Sequence, residues 1–227
     1  MNPSQFTLLF DLDGTLTRTD HLHYQAFASL MADNGRELTP EIYKRDVLGG
    51  SNESIMKALF PDMPERHAEF AELKEQRFRA SVTQLTPTHG LGKLFDWARE
   101  QRIPVAVVTN APRANADLML SALELMGKID TLVIGDELPQ GKPHPLPYLT
   151  ALRQLGGRAD RACAFEDSPS GIRAARAAGL HTFGLIGELS AADLLQAGAS
   201  AAIEHFDAPE LWRWLAEAQA SGSACPA

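Results

Sequence analysis

Cysteine is scarce in this chain, and so are basic residues and long apolar runs. Only two cysteines occur among 227 residues: Cys163 in an apolar stretch and Cys225 in a tail of Ser, Gly, Ala and Pro. Two thiols so placed make no disulfide framework and suit a reducing compartment. Lys and Arg number 21 against 29 Asp and Glu, for a formal net charge of −8. No basic run is present, so the electrostatic footprint of a nucleic-acid binder is missing. No apolar run approaches the roughly 20 residues that a membrane span needs. Residues 1–5 have neither the cationic nor the apolar region of a secretory signal. The expectation is a cytoplasmic monomer that engages neither nucleic acid nor membrane.

What is present is an ordinary globular composition, 44% hydrophobic and 22% charged, in which the apolar residues are patterned. Residues 6–11 (FTLLFD) form a short apolar run that ends in an acid, the signature of a buried strand. A helical pattern follows over 20–34, and helix-like stretches continue to about residue 81 with no convincing strand among them. Beyond Pro87 and Gly90 the pattern changes. Helices are expected at 92–101, 113–126, 145–155 and 169–178. Strands are expected at 103–109, 131–134, 161–166, 181–186 and 201–204, the last two each with a helix behind. Strands that alternate with helices imply a parallel sheet covered on both faces. The fold class expected is therefore α/β, a Rossmann-like doubly wound sheet with an all-helical insertion after its first strand. The boundaries read as 1–16 and 83–227 for the core and 17–82 for the insertion, with a frayed tail from Ser221.

In open parallel sheets, ligands bind beyond the carboxyl ends of the strands. Asp11 and Asp13 stand there after the first strand, Thr109 and Asn110 after the second, and Glu166 and Asp167 after the fourth, with Lys142 in a loop between. Each piece alone is weak. An Asp-x-Asp turn is often only a solvated turn, Thr-Asn commonly starts a turn, and a Lys between Gly and Pro is usually exposed. Lys142 is also no P-loop lysine, because Pro143 replaces the required Ser or Thr. Together they are specific. Four carboxylates at one sheet edge would be costly without compensation, and one divalent cation plus one ammonium would supply it. Such a site suits a phosphate dianion.

The segments DLDGT, VVTNA, GKPHPLPY and FEDSPSGIRAARAAG, in that order, resemble the haloacid dehalogenase superfamily, in its phosphatase branch with a helical cap. The resemblance implies a Mg²⁺-dependent phosphatase. It implies Asp11 as nucleophile, Asp13 as general acid and base, and Thr109 and Lys142 as ligands of the transferring phosphoryl group, with Asn110 assisting. It implies Mg²⁺ held by Asp11, the Asp13 carbonyl and Asp167, with Glu166 supporting that shell. The partner would be a small phosphorylated metabolite.

Within that superfamily, Asp13, Glu166 and Asp167 argue against a dehalogenase. A phosphonate hydrolase would need a Schiff-base lysine in the insertion, where Lys44 and Lys57 read as solvated. The nearest rival is a β-phosphoglucomutase-like isomerase, which residues 19–23 and 48–51 resemble. Such a mutase would hold a second phosphate with cations, but the loop offers Gly49 and Asn52 instead. Similarity to broad-range sugar phosphatases makes a sugar phosphate the leading substrate class, with phosphoglycolate or glycerol phosphate as alternatives. A non-catalytic sugar-phosphate binder is disfavoured by the intact Asp11 and Asp13. His23 and Asn52 are the candidate substrate-binding residues of the insertion. Trp97, Trp212 and Trp214 read as packing residues.

Overall fold

A computed structural model describes residues 6–220. Cys225 and the expected frayed tail lie outside them. The chain divides into two compact units, one of Met1–Arg18 with Thr86–Ala227 and one of Thr19–Leu85.

The sheet unit contains six parallel strands: β1 (Thr7–Phe10), β2 (Val105–Thr109), β3 (Thr131–Ile134), β4 (Ala162–Glu166), β5 (His181–Leu185) and β6 (Ala201–Ile203). Their order is β3-β2-β1-β4-β5-β6. The chain thus builds outward from β1 on one side, then returns to start again on the other. That reversal makes the carboxyl ends of β1 and β4 a switch point where a ligand site is expected. Pairing Phe10 with Phe165 and Val107 sets the ends level, and the Asp11 N–H donates to the Phe165 carbonyl at 2.9 Å.

β1 reads as continuously apolar because both faces are covered. On one face Leu9, Ala106, Val108 and Val133 join a core with Tyr148, Ala151, Ala174 and Ala175. The latter come from α7 (Leu146–Leu155) and α8 (Pro169–Ala177). On the other face Phe10 stacks on Phe165 at 4.7 Å and meets Phe95 and Phe206. Residue Phe95 belongs to α5 (Leu91–Glu100). Trp214, in α10 (Pro209–Ala220), packs on Phe6, His181 and Phe183. Trp97 and Trp212 meet edge-on, and Cys163 is buried in β4.

Two linkers join β1 and α5 to the insertion, and they are zipped together. The Thr17 hydroxyl donates to the Thr86 carbonyl at 2.8 Å, and the Thr88 hydroxyl to the Thr15 carbonyl at 2.7 Å. The Thr88 N–H adds a bond to the Leu16 carbonyl.

One helix is shorter than its pattern suggests. α6 spans Arg113–Ala122 and stops four residues before Met126. Glu124 takes a left-handed conformation (φ 57), and the N–H groups of Glu124 and Leu125 return to Ser121 and Leu120. This closure normally uses glycine. Here burial of Leu125 drives it.

The helical unit comprises α1 (Asp20–Asp33), α2 (Pro40–Asp46), α3 (Asn52–Leu59) and α4 (His67–Ser81). Phe27, Leu30, Ile55, Met56, Phe60 and Phe70 are among its core residues. Lys44 is exposed, and Lys57 pairs with Glu53 on the surface. No helix among the described residues is long and apolar enough to cross a membrane.

Candidate active site

The sheet edge gathers the acids that the sequence singled out. Single oxygens of Asp11, Glu166 and Asp167 lie within 4.8 Å of one another. Asp11 and Glu166 are buried, and Asp167 is half-buried. Lys142, also buried, reaches into them: its Nζ donates to Asp11 Oδ1 at 2.6 Å and to Glu166 Oε1 at 2.5 Å. One ammonium thus serves two carboxylates with a third nearby.

The resulting electrostatics are uneven. Burial pushes the Asp11 carboxyl well above the usual carboxylate range, and Glu166 and Asp13 add to that, against the pull of Lys142. Burial disfavours the Lys142 charge too, but Asp11 and Glu166 outweigh it and hold the ammonium above its ordinary value. The cluster gathers three carboxylates about one buried ammonium. Its donors are all hard oxygens, so the residues present fit a divalent cation of the magnesium or calcium kind better than a soft metal.

Glycines let these groups come so close. Gly14 has φ +75, and a Cβ there would sit 2.0 Å from Asp167 Oδ2. At Gly171, in the first turn of α8, a Cβ would sit 1.8 Å from Glu166 Oε1.

The two oxygens of Glu166 are used within the protein. Besides Lys142, Oε1 accepts the Tyr148 hydroxyl at 2.7 Å. Oε2 accepts the Ser168 hydroxyl at 3.2 Å, and Ser168 Oγ in turn accepts the Gly171 N–H that opens α8. Sequence reasoning gave neither Tyr148 nor Ser168 a role, although both stand in the segments GKPHPLPY and FEDSPSGIRAARAAG that it singled out. The place of Tyr148 one turn before Leu152 marks the inward face of α7.

Thr109 is buried at the end of β2, and its hydroxyl oxygen accepts the Ala111 N–H at 2.9 Å. The Asn110 carboxamide pairs with the backbone of Lys142 in both senses. Its Oδ1 accepts the Lys142 N–H at 3.0 Å, and its Nδ2 donates to the Lys142 carbonyl at 3.1 Å. Asn110 thereby fixes the loop that presents the lysine. Asp13 sits in a turn closed by the Gly14 N–H on the Thr17 carbonyl.

The remaining sequence candidates, His23 and Asn52, belong to the helical unit and meet there. Lys74 Nζ donates to His23 Nδ1 at 2.9 Å and to Glu75 Oε1 at 3.0 Å, and Asn52 Nδ2 donates to the same Glu75 oxygen at 2.9 Å. The His23 ring stacks on Phe78 with centroids 4.1 Å apart, and the ammonium lies 4.8 Å from the Phe27 ring centroid. Burial opposes ionisation of Glu75, but Lys74, Asn52 and His23 together hold its carboxyl below the usual range. A buried cation therefore exists in this unit, from α4 rather than from the 48–52 loop where none was found.

Several known proteins are similar to this chain in sequence and fold. Residues 8–185 match the family model "Haloacid dehalogenase-like hydrolase". A Phosphorylated carbohydrates phosphatase from Thermotoga maritima is 29% identical over 203 residues, covering 87% of this chain and 93% of that protein. The crystal structure of a variant of CbbY from Rhodobacter sphaeroides, in complex with xylulose-(1,5)bisphosphate, superposes with a TM-score of 0.77 at 28% identity. It covers 89% of this chain and 95% of the CbbY chain. A putative β-phosphoglucomutase from Thermotoga maritima has a TM-score of 0.70 at 29% identity, with 93% and 99% of the two chains covered. The chain belongs to the haloacid dehalogenase-like hydrolase family and is a phosphoric monoester hydrolase acting on a phosphorylated small molecule.

Proposed function

We propose that this protein is a Mg²⁺-dependent sugar-phosphate phosphatase working through an aspartyl-phosphate on Asp11. The observation that carries the reading is the Lys142 ammonium between Asp11 and Glu166, with the Asp167 carboxylate beside them. That arrangement offers converging carboxylate oxygens to a divalent cation and an ammonium to a substrate phosphoryl group.

Asp11, the Asp13 carbonyl and Asp167 would hold Mg²⁺, with Glu166 supporting. The ion, when bound, neutralises charge so that an anionic nucleophile and a phosphate can approach. Lys142 and Thr109 bind the phosphoryl oxygens, and Asn110 assists by holding the Lys142 backbone. An Asp11 carboxylate oxygen attacks phosphorus, and the bond from phosphorus to the ester oxygen breaks. Asp13 protonates that leaving oxygen. Asp13 then takes a proton from water, which attacks the phosphoryl group and frees Asp11 and inorganic phosphate. Positioning and charge neutralisation carry most of the rate.

We assign the cap role to the helical unit, and recognition of the substrate's organic part to His23 and Asn52 together with Lys74 and Glu75. Lys74 is matched by Glu75, so this cluster has no surplus cation for a second phosphate. That favours a monophosphate over a bisphosphate, and hydrolysis over a mutase cycle. A monomer in the cytoplasm completes the reading.

The test is phosphate release from p-nitrophenyl phosphate, then from a panel of sugar monophosphates, phosphoglycolate, glycerol phosphate and xylulose 1,5-bisphosphate, with Mg²⁺ or EDTA. Mg²⁺-dependent turnover with sugar monophosphates preferred supports the proposal. Preference for the bisphosphate, or conversion of β-glucose 1-phosphate to glucose 6-phosphate faster than phosphate release, would overturn the substrate reading.

A further inference from the structure

The mechanism above makes no use of Tyr148, although a buried phenol in the middle of a catalytic cluster needs a reason. Its side chain is fully buried in α7 against Ala151, Leu152, Leu9 and Val108. Packing alone would be met at lower cost by phenylalanine, which brings no hydroxyl to desolvate. The hydroxyl instead donates to Glu166 Oε1, the same atom that receives the Lys142 ammonium. The ring also flanks that ammonium, its centroid 5.2 Å from Nζ.

The carboxylate torsion of a glutamate is broad, with no staggered well to fix the plane. Contacts must set it. At Glu166 they come from three elements: the Ser168 hydroxyl before α8, the bare Cα of Gly171 within α8, and the Tyr148 hydroxyl from α7. Ser168 holds only Oε2. The oxygen that faces Lys142 is therefore steered by Tyr148 and walled by Gly171. Tyrosine suits the task because only two torsions separate its hydroxyl from a helix anchored in the core.

We propose that Tyr148 is a positioning residue that acts through Glu166 to hold the Lys142 ammonium against Asp11. The proposal rests on the phosphatase reading, in which that ammonium receives the transferring phosphoryl group. Loss of the hydroxyl lets the Glu166 carboxylate turn about its last torsion and carry Nζ with it. The ammonium is then poorly placed for the transition state, while gross charge and packing remain.

The experiment compares wild type, Tyr148→Phe, Glu166→Gln and the double variant in saturating Mg²⁺ with p-nitrophenyl phosphate. Phenylalanine keeps the ring and the core packing, so Tyr148→Phe should stay folded. Its kcat should fall roughly tenfold, the scale of one charge-assisted hydrogen bond, with KM changed less than about threefold. In the Glu166→Gln background the same change should cost less than about twofold, because the group through which it acts is already altered. Ala151→Gly serves as the control for α7: it weakens the same helix through packing and propensity, and should leave kcat at the wild-type value. The proposal is overturned if Tyr148→Phe keeps kcat within twofold of wild type. It is equally overturned by an undiminished loss in the Glu166→Gln background, or by a matching kcat loss in Ala151→Gly. A wild type without Mg²⁺-dependent turnover would instead sink the phosphatase reading itself.

Discussion

Each unit of this protein buries a lysine among acids, and the two clusters are balanced differently. In the helical unit Lys74 pairs with the Glu75 carboxylate, and His23 and Asn52 hydrogen-bond to the same pair. In the sheet unit Lys142 faces Asp11 and Glu166, with Asp167 close by. A buried pair with matched charges and satisfied hydrogen bonds is complete as it stands. Three carboxylates gathered about one ammonium also offer hard oxygens that a divalent cation would fit. The comparison teaches that burial of charge alone does not mark a reactive centre; the convergence of several carboxylates on one point does.

The largest effect should come from the nucleophile. Asp11→Asn should lower kcat at least about a thousandfold, as loss of a covalent nucleophile does, while the circular dichroism spectrum stays native. Residual activity within tenfold of wild type would show that Asp11 forms no bond to phosphorus.

Next comes the matched cluster. Glu75→Ala leaves Lys74 buried without its carboxylate, which costs about 3 kcal/mol or more. Denaturant melts should show that loss. They should also show the stability from Glu75 itself fading in acid. Its folded pKa lies below the unfolded value, so its contribution is present above the unfolded pKa of about 4.5 and is lost as pH falls through the folded one. A Glu75→Ala protein as stable as wild type at pH 7 would mean that the pair is not worth holding together.

The carboxylate cluster of the sheet unit should respond in the opposite sense. In the proposed metal site Asp167→Ala removes a ligand and part of the repulsion among carboxylates, so in EDTA it should melt no lower than wild type. Wild type should gain roughly 2.7 kcal/mol when Mg²⁺ stands at a hundredfold excess over its dissociation constant, read as a rise of several degrees. The variant should gain much less. Equal Mg²⁺ responses would remove Asp167 from the metal site.

The smallest effect concerns a half-buried ionisable group outside both clusters. Burial, aided by Arg176, lowers the His181 pKa to about 4. The unfolded chain takes up the proton first, so stability should decline as pH falls from about 6.5 toward 4. His181→Phe should flatten the melting temperature across that window. An unchanged slope would assign the acid sensitivity to the carboxylates.

Much of this was legible in the sequence, for physical reasons. Apolar runs buried on both faces announce parallel strands, and the acids after β1 and β4 stand out because acids seldom follow such runs. α6 was overrun because Glu124 makes a turn usually reserved for glycine, and only the burial of Leu125 reveals why. Lys74 and Glu75 were passed over in a helix dense with charge. Their signal was present in the spacing of Phe70, Lys74 and Phe78, which puts the lysine on the apolar stripe. Tyr148 stood inside the GKPHPLPY segment, but its bond to Glu166 depends on how α7 packs against the sheet and could not be read from the sequence. The partners of Asn110 could not be read at all, since they depend on the loop conformation around Lys142.

The zipped linkers at Thr15–Thr17 and Thr86–Thr88 have a consequence for descent. Whatever lies between Arg18 and Thr86 is a loop whose ends are already anchored by the sheet unit. The entropy of closing such a loop grows only with the logarithm of its length. Segments of quite different size can be traded between these linkers without disturbing the strand register of the sheet unit. If the helical unit recognises the organic half of a substrate, as proposed, new preferences arise by exchanging a cassette while the chemistry at the sheet edge is inherited whole.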